Sequence, residues 1–167
     1  MTTSGSDSPT GDPLDRSRFP APREGFVVTF FLAVSDKRKS TDFYTKVIGG
    51  ELVHDAGDNE VSIIQLANTW LILHIAAGPS PDAPDVYIAP PTDLQHVNAY
   101  LEIRVADIYQ TYREWSAKGA HFLTEPKDRG DEIRCYIRDP DGYLIEIGQA
   151  TGTLAGLVWE ISAPRSQ

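Results

Sequence analysis

The chain has 167 residues, 41% of them hydrophobic and 23% charged, with a formal net charge of −9. That length makes one domain or two small modules, and the acidic balance excludes a nucleic-acid face, which needs clustered Lys and Arg. A single cysteine, Cys135, excludes an internal disulfide and points to a reducing cytoplasm, and no stretch approaches the ~20 apolar residues of a membrane span.

Residues 1–22 are rich in Ser, Thr, Gly, Asp and Pro, with Leu14 and Phe19 as the sizeable apolar side chains. Such a composition cannot repay its ordering entropy, so a disordered leader is expected. Residues 23–77 follow as a first module. Val27 to Asp36 reads as a strand ending in an Asp that caps a helix, whose stripe is Phe43, Tyr44, Val47 and Ile48. Gly49-Gly50 stops the helix as a left-handed cap would. Strands are expected at about Leu52–His54, Val61–Leu66 and Trp70–Ile75. Residues 78–94 carry Pro79, Pro81, Pro84, Pro90 and Pro91, and read as a linker.

Residues 95–150 repeat the first pattern. A strand from Val97 ends at Asp107, a helix with the stripe Ile108, Tyr112 and Trp115 ends at Gly119, and strands follow at about His121–Leu123, Ile133–Ile137 and Tyr143–Gly148. Asp36 to His74 and Asp107 to Glu146 are almost equal spans, which makes the duplication a repeat in the strict sense. The last two strands are joined by Asp139-Pro140-Asp141-Gly142, in which Pro140 presets φ and Gly142 accepts a positive one. The tail, residues 151–167, has an apolar segment around Trp159 suited to docking on the body or on a partner.

Alternation along the strands assigns faces. Leu32, Val34, Leu71, Leu73, Leu101, Ile103, Cys135, Ile137, Ile145 and Ile147 are expected to face the helices. The opposite faces gather Thr29, Phe31, Trp70, Ile72, His74, Tyr100, Glu102, Arg104, Arg134, Tyr136 and Glu146. If both half-sheets curl, these line an aromatic-walled small-molecule pocket. Glu146 is the most informative member, because a carboxylate in an apolar strand needs a metal, an Arg or a ligand beside it.

The repeated strand-Asp-helix-Gly pattern and the closing run Asp139 to Ile147 resemble the vicinal oxygen chelate superfamily, which includes glyoxalase I, bleomycin-resistance proteins and extradiol dioxygenases. The resemblance covers about residues 24–150. It implies an α+β fold of two paired βαβββ modules forming a cupped mixed sheet, with the helices outside. It also implies a divalent metal (Zn, Ni, Mn or Fe) held by the first and last strands, with Glu146 as one ligand and His74 at or beside another. The remaining ligand positions fall on Thr29 and Tyr100, which are poor donors for such ions. Glu102 would complete a His74, Glu102, Glu146 set.

Two functions follow. The first is a metal-dependent lyase, isomerase or dioxygenase acting on vicinal oxygens, with Glu146, Glu102 and Tyr100 as catalytic groups and Thr29, Phe31, Trp70, Arg104, Arg134 and Tyr136 binding substrate. The second is a metal-free protein that sequesters an aromatic antibiotic or metabolite, in which Arg104 and Arg134 neutralise Glu102 and Glu146. The expected partners are a small molecule and a second copy of the chain, with neither nucleic acid nor membrane.

Overall fold

The computed structural model describes residues 18–57 and 60–155. The tail around Trp159 lies outside them, as does the first part of the leader. Strand β1 (Thr29–Val34) leads to helix α1 (Lys37–Asp42), whose chain continues as a wider π turn (Phe43–Val47); β2 (Glu51–Asp55), β3 (Ser62–Leu66) and β4 (Thr69–Ile75) complete the first module. The second has β5 (Leu101–Arg104), α2 (Ile108–Ala117), β6 (Lys127–Asp128), β7 (Glu132–Arg138) and β8 (Leu144–Ala150). Each module is a four-stranded sheet, ordered β1-β4-β3-β2 and β5-β8-β7-β6. In each, the first strand pairs parallel with the last and the other pairs are antiparallel. This is the expected fold, an α+β pair of βαβββ modules.

The helix caps follow the sequence. Asp36 accepts from Lys39 N at 3.0 Å and Asp107 from Gln110 N at 2.9 Å, so each closes an open N-terminal donor. Gly49 and Gly119 take φ of +94° and +98°, the left-handed step that ends a helix. Gly50 is needed for a different reason: a Cβ there would stand 2.7 Å from Ile64.

Two strands differ from the expectation. The first strand of module two starts at Leu101 and not at Val97. Its parallel partner β8 begins only at Leu144, and the preceding residues are spent on a turn closed by Gly142 N on Asp139 O. The edge strand of module two is Lys127–Asp128, while the expected strand around Phe122 contributes a single bridge to Ile137. Pro126 has no N–H to donate, so the ladder on β7 breaks between the two. The leader differs as well: Arg18 and Phe19 are laid against the first sheet by contacts described below.

The core lies on the helix side of both sheets. Leu32, Val34, Leu71 and Leu73 pack with Tyr44 and Ile48, and Ile108 and Trp115 pack with Cys135, Ile137, Ile145 and Ile147. The modules of one chain meet where α1 reaches the β7–β8 turn. The buried Tyr44 hydroxyl donates to Asp139 at 2.8 Å, and Asp141 accepts from Ser35 N, Ser35 Oγ and Ser40 Oγ at 2.8, 2.5 and 2.9 Å. No helix among the described residues is long and apolar enough to cross a membrane.

Candidate functional site

Register decides which side chains of module two meet. Glu102 pairs with Glu146, and Glu146 with Tyr136, so the three stand in one row on the face away from α2. In the next row Arg104 pairs with Gly148 and Gly148 with Arg134. Glu132, two residues before Arg134 on the same strand face, completes the group. Donor oxygens of Glu102, Glu132 and Glu146 lie within 4.8 Å of one another.

Glycine at 148 lets this network form. A Cβ there would stand 3.4 Å from an Arg104 guanidinium nitrogen, so the side chain crosses the strand over the space a larger residue would fill. The guanidinium then bridges two carboxylates, Nε to Glu102 at 2.5 Å and Nη1 to Glu132 at 3.1 Å. Arg134 holds the other oxygen of Glu132 at 2.9 Å.

Glu146 is 3% exposed and stands opposite Tyr136 in the β7–β8 ladder. The Tyr100 and Tyr136 phenols lie beside it, and their rings meet edge to face with centroids 6.4 Å apart. The Glu146 charge, and then its hydrogen bond, raise the Tyr100 phenol. Burial first, and the Glu146 bond second, push Tyr136 up to about 12. Both are therefore neutral donors at physiological pH. An absorbance titration of the wild type minus Tyr136→Phe should show this phenol ionising about two pH units late. Glu146→Gln should move the midpoint back towards 10. A wild-type midpoint near 10 would mean the Tyr136–Glu146 bond is not made in solution.

The remaining expected residues lie on sheet one. Thr29, Trp70 and Gln65 form one row, and Phe31, Ile72, Ile63 and His54 the next. His74 stacks on Phe31 at 6.2 Å, and its Nδ1 meets the Ile75 carbonyl at 2.6 Å. Of the expected donor set, the structure brings Glu102 and Glu146 together. His74 stands in the other sheet, outside the carboxylate group, and Glu132 takes the third place. Alternation along β7 could have found Glu132, since it shares the parity of Arg134 and Tyr136. Cys135 is fully buried on the helix side, and burial pushes its thiol up to about 11, so it is no nucleophile.

These residues do not fit a resident metal. A divalent ion needs free carboxylate or imidazole lone pairs, whereas here two guanidiniums already pair with Glu102 and Glu132, and the third carboxylate, Glu146, is buried beside two phenols. An ion at their centre would also face both Arg charges at short range. A cleft of about 440 Å³ adjoins the site, lined by Pro91, Asp93, His96, Arg138, Tyr143 and Leu144 among others. It lies one pleat along β8 from Glu146 and does not include the carboxylates.

Paired βαβββ modules, with ionisable and aromatic side chains on the helix-free faces of their first and last strands, are an architecture of the vicinal oxygen chelate kind. The model of the Glyoxalase/Bleomycin resistance protein/Dioxygenase superfamily matches residues 26–147, and the chain belongs to that superfamily. It is similar to a probable lactoylglutathione lyase of Vibrio cholerae, 30% identical over 145 residues, covering 75% of this chain and 91% of that protein. A probable lactoylglutathione lyase of Vibrio parahaemolyticus is 27% identical over 140 residues, covering 80% and 96%. Among solved structures, TnmS3, described as an antibiotic binding protein from Streptomyces sp. CB03234, superposes with a TM-score of 0.55. It is 22% identical to this chain and covers 78% of it and 100% of TnmS3, a likeness of fold.

Proposed function

We propose that this protein binds a small aromatic molecule on the helix-free faces of its modules without a metal, sequestering it or presenting it for reaction. The observation that carries this reading is the closed charge network: Arg104 across Glu102 and Glu132, Arg134 on Glu132, and Tyr100 and Tyr136 on Glu146. In such a site Glu146 orients the two phenols. Their rings and Phe31 supply stacking surface, and the phenol oxygens and the outer guanidinium N–H groups supply directional contacts to a ligand's oxygens. TnmS3, which shares the fold, is an antibiotic binding protein, and this agrees with the class of function proposed here without identifying the molecule. Phe26 and Val28, exposed beside the edge strand β1, favour assembly with a second copy.

Two measurements test the reading. After loading with Zn, Ni, Mn or Fe and desalting, metal content should stay below about a tenth per chain. A planar hydroxylated aromatic probe, 1,4-dihydroxyanthraquinone, should bind equally well with and without chelator, and Tyr100→Phe should weaken it about fivefold, the net worth of one hydrogen bond at a half-exposed side chain. Stoichiometric metal that survives desalting would instead support the metal-dependent lyase suggested by the Vibrio relatives.

A further inference from the structure

The segment Arg18-Phe19 lies on the helix-free face of sheet one, and it is bound there as a ligand would be. Glu51, Gln65 and Trp70 form a single row across β2, β3 and β4, and Arg18 touches all three. Its guanidinium meets both oxygens of Glu51 in a bidentate pair, and it donates to Gln65 Oε1 at 3.1 and 2.9 Å. The Trp70 indole N–H donates to the Arg18 carbonyl at 2.9 Å. In the next row Phe19 meets His54 edge to face, with centroids 5.8 Å apart. Ile63 in that row is 3% exposed although it stands outside the helix-side core, so this face is covered. Nothing in the composition of the leader calls for such an arrangement.

We infer that Arg18-Phe19 occupies a subsite for a cationic, ring-bearing ligand, and that the ligand binds by displacing it. The chemistry of the contacts defines the class. A planar nitrogen cation with parallel N–H groups matches the Glu51 carboxylate and the Gln65 amide oxygen, and a flat ring matches the edge-to-face seat beside His54 that Phe19 fills. An amidine or guanidine joined to an aromatic ring satisfies both rows at once. The tethered dipeptide is present at a high effective concentration, so it sets a threshold affinity that only a ligand making both contacts exceeds. Arg18 and Phe19 are specificity-determining residues in this sense: they exclude molecules that offer a ring without the cation.

The inference rests on the helix-free faces being the ligand site, and the test separates the two ideas. The amidine dye DAPI is titrated by fluorescence into the full chain, Arg18→Ala/Phe19→Ala and the triple variant that adds Glu51→Gln, with anilinonaphthalene sulfonate as an anionic aromatic control. The double variant should bind DAPI at least fivefold more tightly than wild type, the triple variant should lose that gain, and the sulfonate should bind all three alike. Equal DAPI affinity in wild type and double variant would overturn the inference, as would an equal gain for the sulfonate, which would mean only apolar surface is uncovered. All three affected positions are on the surface or half-buried, and a cooperative thermal transition near that of wild type verifies the fold. If the double variant does not fold, Arg18→Ala alone should loosen the strap and tighten DAPI binding with the sulfonate unchanged, and no change in DAPI affinity there overturns the inference. A DAPI gain without dihydroxyanthraquinone binding would leave the strap standing and remove the proposed function; the opposite pair of results would do the reverse.

Discussion

Replacing Asp139 by alanine is expected to lower stability by about 3 kcal/mol, or roughly 6–12 °C in the unfolding midpoint. The carboxylate accepts from Tyr44 of the other module at 2.8 Å and from Asp141 N and Tyr143 N at 3.0 and 2.9 Å. Its loss leaves the Tyr44 hydroxyl, in a fully buried side chain, with no acceptor and opens the turn that aims Asp141 at Ser35 and Ser40. Tyr44→Phe removes only the bond between modules and should cost about half as much. The pH dependence has a definite sign. Burial raises the Asp139 carboxyl above its ordinary 3.8, against the opposing Tyr44 bond. The folded state therefore holds the proton more tightly than the unfolded one, and this group's contribution to stability falls as pH rises from 3.8 through the folded value. Melting curves of wild type and Asp139→Ala across that window should diverge more at the acid end. A parallel pair of curves would show that the carboxyl is not raised.

Removing both guanidiniums should turn the carboxylate group into a metal site. In Arg104→Ala/Arg134→Ala the three carboxylates, within 4.8 Å of one another, lose both guanidiniums that pair with them. At an effective dielectric near 20 each such pair repels by about 3 kcal/mol, less where water screens it, as it does at Glu102. A divalent cation relieves this repulsion, and three carboxylate oxygens are the donors Mn and Ca prefer. Calorimetry should show Mn binding at least tenfold tighter than in wild type, with a melting temperature that rises when Mn is added. Glu132→Gln in this background should abolish both effects. An unchanged affinity would mean the arginines do not neutralise the group, and the metal-free reading would lose its main support.

Much of this architecture is legible in the amino-acid order because its signals are local. Asp36 and Asp107 cap helices through contacts three residues away, Gly49 and Gly119 end them by positive φ, and alternation in β4 and β8 separates Leu71 and Ile145 from Trp70 and Glu146. The duplication then fixes the class of fold, since two like units with like faces pack in few ways. Alternation also placed Glu102, Arg104, Tyr136 and Glu146 on one face.

What the order of residues could not settle depends on register and on groups distant in the chain. Whether Glu102 faces Glu146 or a neighbour is a shift of two residues in a parallel pair, and only the β5–β8 ladder decides it. Glu132 joins the carboxylates because Gly148 leaves room for Arg104 to cross, a steric fact involving three strands. His74 carries the right chemistry for a metal ligand, but whether a side chain of sheet one reaches the carboxylates of sheet two depends on how the sheets curl, which no local signal gives. The leader shows the same division. Its composition predicts no intrinsic order, whereas Arg18-Phe19 is held by Glu51, Gln65, Trp70 and His54, whose convergence exists only once three strands are paired. Propensity and periodicity act between near neighbours and so are written along the chain; charge pairing and burial act through space, and the folded sheets alone determine who meets whom.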